Sequence, residues 1–105
     1  MSRDKLELKI IQLFEDGNGF LVQLRVHNSF NEAAYREIIN LLRDYEMLLE
    51  SEKDINRHIA GFLFVLDSTL QSAAYHFSEM KHEDAERVGR SHAEALDLIG
   101  RLLPS

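Results

Sequence analysis

Residues 55–80, INRHIAGFLFVLDSTLQSAAYHFSEM, decide the fold of this chain. Apolar residues recur in this segment at intervals of three and four, which is the spacing of one face of an amphipathic helix. The stripe consists of Ile55, Ile59, Phe62, Leu66, Thr69, Ala73 and Met80, and it is widened by Leu63, Leu70 and Phe77. The continuous apolar run is much shorter than the roughly 20 residues that cross a bilayer, so we expect no membrane span.

A second face of the same helix carries small and aromatic side chains, again at intervals of three and four. Its members are Gly61, Val65, Ser68, Ser72 and Tyr75, and Phe64 lies beside them. Small side chains allow another backbone to come close, so this face predicts contact with a further element or a further chain. One interpretation is internal packing beneath the N-terminal segment. The functional interpretation is a partner-binding surface formed by Gly61, Phe64, Ser68, Ser72 and Tyr75.

The N-terminal segment fits two periods. Leu6, Leu8 and Ile10 alternate with polar residues as in a strand, but residues 5–15 also fit a helical face. The sequence Asp16-Gly17-Asn18-Gly19 is typical of a tight turn, because Gly and Asn tolerate positive φ. In the following residues, 20–27, every second side chain is apolar and falls on one side, and the β-branched content fits a half-buried strand. We therefore predict a β-hairpin, residues 5–14 and 20–27, with a helix over residues 5–15 as the alternative.

A helix is predicted after residue 29, where Ser29 and Glu32 have the spacing of a capping box. Its apolar stripe shares one heptad register with that of residues 55–80, and only Glu52 interrupts the pattern. Residues 30–81 therefore permit one continuous helix, about 75 Å long at 1.5 Å per residue, which only an oligomer would bury. The alternative, which we favour, is a helical hairpin in which Ser51 and Asp54 form a second capping box.

The shared register ends near residue 82, where the chain is expected to turn. A new apolar stripe then predicts a last helix to about residue 102, where Pro104 would stop it. This stripe consists of Ala85, Val88, His92, Leu96, Ile99, Leu102 and Leu103. The predicted fold class is thus α+β, with a β-hairpin followed by three amphipathic helices (ββααα), in a single domain over residues 1–105.

Composition narrows the classes of partner. The net charge of −6 disfavours nucleic acid, whose phosphates require clustered Lys and Arg, and an anionic membrane surface. The absence of cysteine excludes disulfides and thiolate metal sites. The first residues, Met1 to Lys5, are not followed by an apolar stretch typical of a signal peptide. We therefore expect a cytoplasmic protein.

The five histidines are the candidates for metal binding or acid–base catalysis. Glu79 and His82 have the Glu-x-x-His spacing of di-iron bundles, but those sites need a second pair and two further glutamates. His76 and His92 fall on apolar stripes, where histidine is usually a hydrogen-bonded boundary residue. We find no catalytic set and no phosphate-binding Gly-rich loop, so we predict a protein without enzymatic activity, metal or cofactor.

The predicted function is a small acidic protein-binding module, such as an adaptor, regulator or inhibitor, that forms a homodimer. Three helices and a two-stranded hairpin are too few to cover all the apolar faces, and a lone hairpin has two open edges. An acidic patch is a second docking candidate for a basic partner, or a solvated face. It comprises Asp44, Glu46, Glu50, Glu52 and Asp54. The alternative function is a helical bundle that binds a small ligand or metal through His76, Glu79, His82 or His92.

Overall fold

The computed structural model describes residues 2–16, 19–50 and 54–103. Within these ranges the chain forms five α-helices and no β-strand. The helices are α1 (Arg3–Glu15), α2 (Phe20–Val26), α3 (Glu32–Leu49), α4 (Arg57–Glu79) and α5 (Ala85–Leu102). No membrane-spanning helix is found among them in this part of the chain. The architecture is all-helical, and the predicted α+β class is wrong.

The helices occupy the four corners of a bundle, with the short helices α1 and α2 sharing one corner. α1 packs against α3 and α4, α2 against α4, and α5 against both α3 and α4. α3 and α4 therefore lie at opposite corners of the bundle. Buried side chains from all five helices join in one hydrophobic core.

The first predicted strand, residues 5–14, lies in helix α1. Ser2 caps this helix, because its side chain accepts a hydrogen bond from the backbone N–H of Lys5. The buried residues are Leu6, Ile10 and Phe14, at intervals of four, whereas Leu8 is 56% exposed. A strand would place Leu6, Leu8 and Ile10 on the same face. The helical alternative for residues 5–15 is therefore the correct interpretation.

The second predicted strand, residues 20–27, is replaced by helix α2. Phe20 and Leu24 are buried one helical turn apart, while Val26 is 61% exposed. Gly19 precedes this helix with φ near −80°, so it does not use the left-handed conformation that the turn prediction assigned to it. A Cβ at Gly19 would instead lie 3.1 Å from the backbone oxygen of Asp16. Close approach explains this glycine, and Gly17 lies outside the described residues.

Helices α3 and α4 are separate, which excludes the continuous helix over residues 30–81. Ile55 and Asn56 are not helical, and the Asn56 side chain caps α4 by accepting from the N–H groups of His58 and Ile59. Asn56 thus takes the place of the predicted Ser51–Asp54 capping box, of which Ser51 lies outside the described residues. At the start of α3 the cap is Asn31, which accepts from the Ala34 N–H, and not Ser29.

The apolar face predicted for α4 is largely the buried one. Its buried residues are Ile59, Leu63, Leu66, Thr69, Leu70, Ala73 and Phe77. The stripe predicted for α5 is partly wrong, since Leu96 is exposed and His92 half-buried. Their places in the core are taken by Ser91, Ala95 and Leu98. At 100° per residue, the buried face of α5 is turned by about 60° from the predicted one, and Val88, Ile99 and Leu102 belong to both. The prediction followed the larger side chains of His92 and Leu96, whereas the smaller Ser91 and Ala95 are buried.

The turn between α4 and α5 places Lys81 in the left-handed region, with φ of 54°. The N–H of His82 donates to the Phe77 oxygen and that of Lys81 donates to the Ser78 oxygen, which is the Schellman arrangement. The His82 ring then stacks on Phe77 with centroids 4.3 Å apart. This turn fixes α5 antiparallel to α4.

Two glutamates join helices that are distant in sequence. Glu94 on α5 accepts from the Tyr35 hydroxyl at 2.7 Å and from Arg36 and Arg43, both at 2.8 Å. Glu7 on α1 accepts from the Tyr45 hydroxyl and from Arg3. Burial alone would raise the pKa of each glutamate, but these hydrogen bonds outweigh burial and the pKa of each is lowered.

The lowered pKa values predict a loss of stability in acid. A carboxylate that ionises more readily in the folded state stabilises the fold above the ordinary pKa of 4.5, and this contribution disappears as the pH falls through the folded pKa. We expect the free energy of unfolding, measured with urea, to decrease below about pH 4.5. The decrease should be smaller for Glu94→Gln but unchanged for Glu86→Gln, an exposed control on the same helix. Equal pH dependence in both variants would contradict this role of Glu94.

Candidate functional site

The candidate site is the outer face of α4, defined by Gly61, Phe64, Ser68, Ser72 and Tyr75. All five residues are exposed. Because they follow one another at intervals of three and four, they form a single stripe along the helix. The buried stripe of α4 contacts the core on the opposite side, so the outer face points away from the bundle.

Two aromatic residues dominate the outer face. The side chains of Phe64 and Tyr75 are 64% and 71% exposed, respectively. The alternative interpretation, internal packing beneath an N-terminal hairpin, is not what the described residues show, because α1 and α2 pack on other sides of the bundle. Val65, beside the stripe, is also exposed. The face therefore exposes several apolar and aromatic side chains to solvent.

Small residues separate the aromatic ones and leave room for an approaching chain. A Cβ added at Gly61 would meet no atom within 4 Å, so space here is open. Ser68 and Ser72 are exposed and lie between the two aromatic residues along the helix. The outer face is thus a series of ridges at Phe64 and Tyr75 and shallow gaps at the small residues.

Helix α5 widens this surface. His92 Nε2 lies 2.9 Å from Asp67 Oδ1, which places this side of α5 against α4. Leu96 follows His92 by one helical turn and is 48% exposed. Because residues four apart share a face of a helix, Leu96 lies on the same side of α5 as His92. It adds an apolar side chain at the edge of the outer face of α4.

Opposite charges stand at the two ends of the outer face. Arg57 opens α4 and Glu79 closes it, and both side chains are exposed. Among the described residues neither makes a salt bridge. Both charges are therefore available to a partner that lies along the helix.

The residues proposed for ligand or metal binding are dispersed. His92 pairs with Asp67, and His82 packs on Phe77 while its Nδ1 accepts from the Asp84 N–H. His76 lines a cleft of about 150 Å³ between α2 and α4, together with Arg25 and Thr69. Glu79 is exposed at the end of α4. Over residues 2–16, 19–50 and 54–103, no three His, Asp or Glu side chains are grouped to hold a metal ion.

The predicted acidic patch is not one uniform surface. Glu46 forms a salt bridge with Arg101 of α5 at 2.7 Å. Asp44 lines a depression of about 380 Å³ with Leu6, Met47 and Leu48. Glu52 lies outside the described residues. No local sequence pattern indicates this depression, because it forms only when α1 packs against α3 as a helix.

A second feature that the sequence analysis missed is an arginine-rich cleft between α3 and α5. It has a volume of about 330 Å³ and its lining includes Arg36, Arg87, Arg90 and Glu94. Arg36 is hydrogen-bonded to Glu94, and Arg87 lies 3.6 Å from both Glu32 and Asp84. Two of its three arginines are thus paired with acidic residues of the protein, and the Arg36–Glu94 and Arg87–Glu32 pairs link α3 to α5.

Comparison with known proteins does not assign a function to this surface. No protein-family model, curated protein or solved structure matches the chain.

Proposed function

We propose that the chain is a small non-enzymatic protein-binding module whose binding surface is the outer face of α4. The observation that carries this proposal is the exposure of Phe64 and Tyr75 on one stripe of a single helix. Aromatic residues are enriched at the centres of protein interfaces, and exposed apolar patches on soluble proteins mark interaction sites. A partner that covers this stripe would remove both aromatic rings from water.

The electrostatic networks support the choice of surface. Glu7 joins α1 to α3 through the hydroxyl of Tyr45, and Glu94 joins α5 to α3 through Tyr35 and Arg36. These groups act in the fold, so they are not available to a substrate. The outer face of α4 takes no part in either network, and its side chains contribute little to the core. The exposed aromatic residues of this face do not stabilise the core, which supports a role for them in binding.

The compartment proposed for this module is the cytoplasm. A chain of 105 residues without cysteine has no means of forming a disulfide, which is the usual device by which small extracellular domains are stabilised. A net charge of −6 helps to keep such a chain in solution.

Site-specific photo-crosslinking tests the proposed surface. A photoreactive phenylalanine analogue would replace Phe64 or Tyr75, and in a control it would replace Leu8, an exposed apolar residue of α1. After irradiation of intact cells, we expect discrete protein adducts from positions 64 and 75 but not from position 8. Adding Phe64→Glu to the chain labelled at position 75 should remove the adducts. Equal adduct formation at all three positions, or none at 64 and 75, would contradict the proposal.

A further inference from the structure

The outer face of α4 is self-complementary about its centre, Ser68. Gly61 and Tyr75 lie seven residues before and after Ser68, so a small residue corresponds to a large one. Phe64 and Ser72 lie four residues before and after it, and again a large residue corresponds to a small one. Each aromatic residue on one side of Ser68 therefore has a small residue at the same distance on the other side.

The charges at the ends follow the same relation. Arg57 and Glu79 are each eleven residues from Ser68, and they carry opposite charges. Both are exposed, and neither has a salt-bridge partner in the part of the chain that the structure describes. The stripe is therefore complementary to itself in size and in charge when its direction is reversed.

We propose that the partner of this face is a second copy of the chain, with the two α4 helices antiparallel about a two-fold axis at Ser68. This inference rests on the proposed function of the outer face. The axis sets residues equidistant from Ser68 at the same level on the two helices. Tyr75 of each copy then lies over Gly61 of the other, and Phe64 lies over Ser72.

The small residues determine how closely the helices approach. Helix axes pack about 8–10 Å apart, with the shorter distances where small side chains lie at the contact. Ser68 meets its own counterpart on the axis, and Gly61 and Ser72 receive the aromatic rings. A closed two-fold contact is also the commonest symmetry of soluble oligomers. Two Arg57–Glu79 pairs would form at the ends of the contact, and Leu96 of α5 would extend its apolar edge.

Cysteine cross-linking tests the antiparallel geometry, because the natural chain contains no cysteine. Ser68→Cys places two thiols together at the axis, within the distance of about 7 Å between Cα atoms that a disulfide permits. Ser72→Cys is a matched control on the same exposed face, since its two copies would be about 12 Å apart along the helices, eight residues at 1.5 Å each. Under mild oxidation we expect the Ser68→Cys dimer to form at least tenfold faster than the Ser72→Cys dimer.

A charge reversal tests the ends of the same contact. Arg57→Glu and Glu79→Arg should each raise the dimer dissociation constant, measured by sedimentation equilibrium, about tenfold. Each substitution puts like charges opposite one another at both ends of the contact. The double variant Arg57→Glu/Glu79→Arg restores both pairs and should return to within about threefold of the natural chain. Additive weakening in the double variant would overturn the antiparallel arrangement.

The experiments distinguish the antiparallel dimer from a binding surface for another protein. Equal disulfide formation at positions 68 and 72 would indicate parallel pairing or random collision and would overturn the two-fold axis at Ser68. A purified chain that stays monomeric to about 100 µM would overturn self-association altogether. Photo-crosslinking from positions 64 and 75 to another protein would then leave the proposed function standing, whereas loss of both signals would remove both proposals.

Discussion

Leu66→Ala is expected to lower the free energy of unfolding by about 2 to 5 kcal/mol. Leu66 is completely buried and lies near the middle of α4. This helix packs against α1, α2 and α5, so the cavity left by the missing side chain would lie between several helices. Since a domain of this size has a total stability of about 5–15 kcal/mol, the variant would unfold at a much lower urea concentration than the natural chain.

Leu8→Ala provides the matched control for this experiment. It removes the same atoms from a helical leucine that is more than half exposed. Alanine is also the best helix former, so the change should alter the free energy of unfolding by no more than about 0.5 kcal/mol. Urea unfolding followed by circular dichroism at 222 nm gives both values. Similar losses in the two variants would show that α4 is not the centre of the core.

The buried face of α4 could be predicted because the helix is long. Over 23 residues, a three-and-four spacing of apolar side chains is distinct from the alternation of a strand. The same spacing grouped the residues of the outer face in a second register, but it left open whether they are packed internally or exposed. For α5 the period was correct but the face was displaced, because Ala95 is buried while the larger Leu96 is exposed.

The N-terminal helices could not be recognised in the same way. Residues 20–26 make only two helical turns, and Phe20 and Leu24 satisfy an alternating pattern as well as a helical one. The deciding contacts are tertiary. Phe14 stacks on Phe62 of α4 with ring centroids 5.0 Å apart, and Phe20 packs against Tyr35 of α3 at 5.7 Å. Such packing outweighs local preference, and no local pattern reveals it.

The contacts between α3 and α5 could also not be predicted from the sequence. Glu94 contacts Tyr35 and Arg36 across 59 and 58 residues of sequence. These contacts require α3 and α5 to run side by side in the same direction, which is possible because α3 and α4 lie at opposite corners of the bundle and α5 packs against both. A helical hairpin would have placed α3 directly beside α4, and the partners of Glu94 would then have been different.

Leu8→Pro is expected to destabilise the protein by about 3 kcal/mol or more. Residue 8 lies in the interior of α1, where its backbone N–H donates to the oxygen of the residue four positions earlier. Proline removes that donor, and its ring clashes with the same oxygen. The Leu8 side chain is largely exposed, so little of the loss would come from packing. Destabilisation would arise from the backbone and would separate α1 from α3 and α4.

The comparison with Leu8→Ala isolates this backbone effect. Both variants remove the leucine side chain, but only proline is incompatible with a helix interior. We expect a difference of about 3 kcal/mol between their free energies of unfolding, measured by urea titration, together with a lower helical signal at 222 nm for the proline variant. A difference below about 1 kcal/mol would mean that helix formation over residues 3–15 contributes little to stability. In that case Leu6, Ile10 and Phe14 would have to be buried by a different backbone conformation.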